Sequence, residues 1–137
     1  MIKRVSHLGV AVRDLDAAVR LYRDVFGLEL ERRWTSAGEG MEAAAFRVGD
    51  LEIELMQPLD DSSPVGRFIA RRGEGLHHVA YAVDDVAGAL QAVEEAGVEV
   101  IDRTPRPGGE GKTLIGFLHP KSVHGVLTEL EQDAGLG

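Results

Sequence analysis

An internal repeat constrains the fold of this chain more than any other feature. Residues 7–12 read His-Leu-Gly-Val-Ala-Val and residues 78–83 read His-Val-Ala-Tyr-Ala-Val. Both are alternating strand patterns. Each runs into an acidic helix-capping signal, at Asp14 and at Asp85. A helical period comes next both times: Leu15, Ala18, Val19, Tyr22, Val25 and Phe26 predict one apolar face, and Val86, Ala89, Leu90, Val93 and Ala96 another. Glycine ends both helices, at Gly27 and Gly97, and a further strand begins. Strand signals then recur at about 41–48, 51–57, 113–118 and 125–131.

Each half is thus read as β-α-β-β-β, over 1–59 and 75–132, with a tail at 133–137. The connection, 60–74, has a Ser-Ser-Pro entry and apolar Val65, Phe68 and Ile69, which predict a short helix. Residues 105–112 are Gly-rich and predict a loop. The expected architecture is α+β: two tandem modules packed with pseudo-twofold symmetry in a single domain spanning 1–137.

The repeat also separates two adjacent histidines. Neighbouring strand residues point to opposite faces, so His77 and His78 cannot serve one site together. Aligning the halves places His7 on His78. Small residues share that face, Gly9 and Ala11 in one half and Ala80 and Ala82 in the other. The bulky residues Leu8, Val10, Val12, Val79, Tyr81 and Val83 take the opposite face, where each half's own helix should pack. His77 has the bulky parity and is expected to be structural.

The last strands repeat as well. Glu-Leu-Met-Gln at 54–57 matches Glu-Leu-Glu-Gln at 129–132, so Glu54 aligns with Glu129. Two histidines and two carboxylates at matched positions suit a divalent ion such as Zn, Co, Mn, Ni or Fe. The chain has no cysteine, which excludes disulfides and thiolate ligation. A formal net charge of −8 with no basic run argues against nucleic acid or an anionic membrane as partner. No signal-peptide or membrane-length apolar run is present, and a cytoplasmic location is expected. The stretch Gly-Gly-Glu-Gly-Lys-Thr at 108–113 fails as a phosphate loop, because Arg106 stands where the first glycine is required.

The constellation resembles the vicinal oxygen chelate (glyoxalase/bleomycin resistance) superfamily and, within it, the methylmalonyl-CoA epimerase family. The resemblance is carried by SHLGVAV at 6–12, MQPLDDSSPVGRFIARRGEGLHHVAYAVDD at 56–85 and FLHPKSVHGVLTELEQ at 117–132. It implies a cupped mixed β-sheet around a metal held by His7, Glu54, His78 and Glu129. One departure stands at Glu54, a position that is glutamine in some family members. The extra negative charge would hold the metal more tightly and make it a weaker electrophile.

The resemblance further implies epimerisation at C2 of methylmalonyl-CoA, within propionate metabolism. A proton would leave C2, a metal would stabilise the enolate, and a proton would return to the other face. Co2+ is the expected active form, with Zn2+, Mn2+ and Ni2+ as alternatives. Two acid/base groups suit inversion. Glu129 is one candidate and Glu42, among alanines, the other. Lys112 and Lys121 are candidate contacts for the CoA portion, with Arg103 and Arg106 nearby. A homodimer is expected. Competing readings are a glyoxalase-type isomerase, an extradiol dioxygenase, or a metal-free sequestering protein. The last would need an aromatic-lined groove, and aromatics make up only 5% of the chain.

Overall fold

The computed structural model describes residues 1–108 and 111–133. The tip of the Gly-rich loop (Gly109 and Glu110) and 134–137, nearly all of the expected tail, lie outside the described residues. The chain forms two compact units, His7–His77 and a second comprising Met1–Ser6 with His78–Gly137. The first strand, β1 (Ile2–Ala11), contributes to both.

In the first unit β1 leads into α1 (Leu15–Arg20), then β2 (Leu30–Ser36), β3 (Met41–Val48), β4 (Leu51–Pro58) and α2 (Pro64–Arg72). The sheet order is β2-β3-β4-β1. β1 runs parallel to β4, and the other pairs are antiparallel. Asp14 caps α1 by accepting the Ala17 N–H. On the α1 side of the sheet Val12, Leu15, Val19, Ala44, Phe46 and Leu55 form a buried cluster.

The helical face foreseen for α1 holds for only part of its length. After Arg20 the chain makes a π-helical turn over Leu21–Val25. The Phe26 N–H bonds to the Leu21 carbonyl, five residues back. The extra residue rotates the downstream side chains by about 100° relative to an α-helix. Val25 and Phe26, expected on the buried face, are therefore 73% and 56% exposed.

The helix expected over the connection is α2. Ser63 caps it through the Gly66 N–H, and Pro64 occupies its first turn. Gly66 is required there, since a Cβ would lie 2.3 Å from the Asp60 carbonyl oxygen. The Ser62 hydroxyl and the Ser62 and Ser63 N–H groups donate to the Asp60 carboxylate and hold its pKa below the usual range. α2 packs Val65, Phe68 and Ile69 on Ala11, Met41, Ala43 and Met56.

The plan repeats with β5 (Gly75–Val83), whose residues from His78 onward lie in the second unit, then α3 (Val86–Glu95), β6 (Arg106–Pro107), β7 (Thr113–Leu118) and β8 (Thr128–Asp133). β5 and β8 are parallel, β7 pairs antiparallel with β8, and the order is β5-β8-β7-β6. Val83, Val86, Ala89, Leu90, Leu118 and Leu130 form its core. Val12, Leu15, Val19 and Leu55 stand at the matching positions of the first unit.

The strand expected after Gly97 is reduced to one bridge, Val100 to Leu118, and the two residues of β6. Two prolines, Pro105 and Pro107, lack the N–H a longer ladder needs. The Asp102 carboxylate also takes the Phe117 N–H, a donor that a paired strand would otherwise use. The last strand starts at Thr128, because a 3-10 turn (Pro120–Ser122) occupies the chain before it.

Candidate metal centre

His7 and Glu54 meet in the first unit. Glu54 lies opposite Gly9 in the β1–β4 ladder, two residues beyond His7. His7 and Glu54 therefore project from the same face, diagonal to one another. His7 Nδ1 is 3.3 Å from Glu54 Oε2, and their side chains are 4% and 11% exposed.

The second unit builds the same pair in the same register. Glu129 lies opposite Ala80, two residues beyond His78. His78 Nε2 is 3.2 Å from Glu129 Oε1, and both side chains are 5% exposed. The Phe117 ring packs edge-on against His78, with centroids 5.7 Å apart. Phe117 is also the β7 residue opposite Glu129, so the ring and the carboxylate share a face.

The glutamine of the repeat does different work. Gln57 accepts the Leu15 N–H at 2.7 Å, and Gln132 accepts the Val86 N–H at 2.5 Å. Each satisfies the first amide of its half's helix, which has no partner within the helix. Gln57 and Glu54 are three residues apart on one strand and so point to opposite faces. Glu54 takes the histidine side and Gln57 the helix side.

His77, the other member of the histidine pair, is partly buried. Its ring packs edge-on against Phe68 of α2, with centroids 4.9 Å apart. The parity that separates it from His78 is the one read from the repeat.

The acid/base reading of Glu42 does not fit the register. Glu42 lies opposite Gln57, on the α1 side of the sheet, while Ala45 lies opposite Glu54. Its carboxylate accepts two hydrogen bonds from Arg33, at 2.9 and 3.0 Å. Arg33 also donates to Asp16 of α1. These two carboxylates hold the Arg33 pKa above its ordinary value. Glu42 is thus turned away from the face that carries His7 and Glu54. Ala43 and Ala45 occupy the positions of β3 on that face.

The cations of the second unit also separate. Lys121 pairs at the surface with Glu99 at 3.1 Å, and Arg103 with Glu94 at 3.0 Å. Lys112 is exposed just before β7. Arg106 alone of the four is fixed by sheet register. It lies opposite Ile115, which lies opposite Glu131, two residues from Glu129. Its guanidinium sits 5.4 Å from the Phe117 ring centroid and bonds Asp102 at 3.2 Å. His119 accepts the Lys121 N–H in the 3-10 turn, and His124 takes a left-handed backbone with φ 61°. Among the described residues no helix is long and apolar enough to cross a membrane.

One residue near Glu54 escaped the sequence reading. Arg32 Nη2 is 3.8 Å from Glu54 Oε2, and Nη1 is 2.7 Å from Glu52 Oε2. A β-bulge between Leu30 and Arg32 shifts the register of β2 and places Arg32 opposite Ala45. Nothing in the alternation of the strand announces it.

The profile of the glyoxalase/bleomycin resistance protein/dioxygenase superfamily matches residues 6–117. The chain belongs to that superfamily. It is 37% identical to an ethylmalonyl-CoA/methylmalonyl-CoA epimerase of Cereibacter sphaeroides, over 96% of this chain and 99% of that one. It is 31% identical to the mitochondrial methylmalonyl-CoA epimerase of Homo sapiens, over 94% of this chain and 73% of the relative. A solved methylmalonyl-CoA epimerase in complex with methylmalonyl-CoA and NH4+ superposes with a TM-score of 0.94 at 36% identity. That match covers 99% of this chain and 98% of the other.

Proposed function

We propose that this chain interconverts the (2R) and (2S) forms of methylmalonyl-CoA with the help of a divalent metal ion held by His7, Glu54, His78 and Glu129. One observation carries the reading. A buried His–Glu pair is built twice, in the same parallel register, in a chain whose solved counterpart binds methylmalonyl-CoA. The donor chemistry fits the ion. Each unit offers one imidazole and one carboxylate, His7 with Glu54 and His78 with Glu129. Imidazole and carboxylate donors without thiolate suit Co2+, which we take as the active form, and also Zn2+, Mn2+ and Ni2+.

When bound, such an ion supplies Lewis-acid stabilisation of negative charge developing on carbonyl oxygens. The chain's own residues handle the proton and the substrate. C2 of methylmalonyl-CoA lies between a thioester and a carboxylate, so its proton is acidic enough for a carboxylate to remove. Glu129 is assigned to hold that proton on one side of C2. We assign Glu42 no part in inversion, because its carboxylate is bonded to Arg33 on the α1 side of the sheet. Arg106, stacked on Phe117 and aligned with the Glu129 face, is assigned to the anionic part of the substrate in preference to Lys112 and Lys121. The active species is proposed to be a homodimer in the cytoplasm, and sedimentation of the purified chain tests the dimer.

The deciding experiment incubates methylmalonyl-CoA with the protein in D2O and follows C2 by mass spectrometry and NMR. Deuterium should enter C2 with loss of stereochemical purity, and a chelator should stop it. Turnover of a glutathione hemithioacetal without exchange at C2 would overturn the proposal in favour of a glyoxalase-type isomerase.

A further inference from the structure

The face of the first unit that carries His7 and Glu54 holds more charge than two metal ligands require. Arg32, Ala45, Glu54 and Gly9 form one row across β2, β3, β4 and β1. The side chain between Arg32 and Glu54 is only a methyl group, so the guanidinium can extend over Ala45. Its Nη1 meets Glu52 at 2.7 Å and its Nη2 approaches Glu54 at 3.8 Å. The Trp34 ring lies against the guanidinium, with the Arg32 Cζ 4.7 Å from the centroid. Arg32 is therefore clamped between an indole face and two carboxylates.

The network closes through Arg47, which pairs with Glu31 at 3.2 Å and with Glu52 at 3.6 Å. The Arg47 guanidinium holds the Glu31 carboxyl below the usual carboxylate range. Glu31, Glu52 and Glu54 thus meet the guanidiniums of Arg32 and Arg47 in one network. The oxygen of Glu54 that faces Arg32 is Oε2, the same atom that lies 3.3 Å from His7 Nδ1. Arg32 therefore bears on both the charge and the orientation of that carboxylate.

We infer that Arg32 is a positioning residue that balances the charge of Glu54 and so sets how tightly the site holds its ion. The inference rests on the proposed metal site. Two full carboxylates with two imidazoles bind a divalent ion tightly, but they leave it little positive charge with which to polarise a substrate oxygen. A guanidinium beside one carboxylate draws part of that negative charge away. The ion is then held less tightly and stays electrophilic. The competing explanation is that Arg32 only neutralises buried Glu52, which predicts no coupling to Glu54.

The test is a double-mutant cycle read by Co2+ calorimetry and the visible spectrum of bound Co2+, on the full chain. Arg32→Met should bind Co2+ about tenfold or more tightly, because the Glu54 carboxylate is no longer drawn toward a guanidinium, with slower turnover. Arg32→Lys, which keeps the charge but not the fork or the stacking, should fall closer to the parent than Arg32→Met does. Once Glu54 is replaced in Glu54→Gln, adding Arg32→Met should move Co2+ affinity by less than about threefold, because the charge to be balanced is gone. Arg32→Met also strips Glu52 of its nearest cation, so the cycle is repeated on Glu52→Gln with melting curves confirming the fold. An unchanged affinity in Arg32→Met, or the same shift with Glu54 present and replaced, overturns the inference. A parent chain whose Co2+ affinity is indifferent to Glu54→Gln and His7→Ala overturns the metal assignment and this inference with it.

Discussion

Gln57 offers a sharp test of which residue of the Glu-Leu-x-Gln repeat serves the site and which serves the fold. In Gln57→Ala the Leu15 N–H loses its side-chain acceptor, a carboxamide oxygen 2.7 Å away. That amide opens α1 and has no partner within the helix. Leu15 is fully buried, whereas the hydrogen bond itself is only partly so. An unsatisfied buried donor costs about 1–3 kcal/mol, and water reaching the vacated space brings the cost to the lower part of that range, about 1–2 kcal/mol. Asp14 still caps the Ala17 N–H, so the helix should start at the same residue. For a chain of 137 residues the loss should lower Tm by roughly 3–8 °C. Co2+ affinity should stay within about threefold of the parent, since Gln57 points away from Glu54. Glu54→Ala should do the reverse, losing Co2+ by about tenfold or more with a smaller change in Tm. Gln132→Ala is the internal control, because Gln132 meets Val86 in the same way. Thermal melts and Co2+ titrations on the same preparations decide the matter. If Gln57→Ala weakened Co2+ binding as much as Glu54→Ala and left Tm unmoved, the register argument would be wrong.

Strand parity sets two further outcomes. His78→Ala should abolish Co2+ binding and epimerisation, whereas His77→Ala should keep both and lose about 1 kcal/mol from its ring contact with Phe68, read by urea unfolding. Equal metal loss in both variants, with both folded, would contradict the parity argument. Glu42→Gln should keep turnover within about twofold of the parent and shift stability by less than about 1 kcal/mol, since its pairing with Arg33 is part-exposed. A large fall in turnover would return Glu42 to the mechanism.

The features that sequence made legible are those fixed by strict periodicities and by duplication. Asp14 and Asp85 cap as expected because an acidic side chain before an apolar period satisfies free helix amides in any context. The side on which His7 and His78 project is set by the period of two, and duplication supplied the check that a single strand lacks. The two histidines stand in the same register to Glu54 and Glu129, as the aligned halves implied. Gln57 and Gln132 were visible as a repeat, but repetition by itself does not say whether a residue serves the site or the fold. Both kinds are copied when a module is copied. Only the partner distinguishes them: a histidine for Glu54, and a helix amide for Gln57.

The hidden features come from single-residue departures from a period. The π-helical turn adds one residue after Arg20 and exposes Val25 and Phe26, which a regular helix would have buried. The bulge in β2 adds one residue before Arg32 and changes which of two adjacent arginines faces Glu54. Without it Arg33 would take that side, and Arg32 would point to Asp16 and Glu42. The same parity step decides Glu42. It reads as a plausible base only while the register of β3 against β4 is free. Once Ala45 is set opposite Glu54, Glu42 must face the helix. A one-residue shift in a strand changes no composition and little hydrophobicity here, because β3 runs through three successive alanines that fit either face. Small residues open room for a ligand on one face. For the same reason they withhold the bulk-and-polar alternation from which register is read.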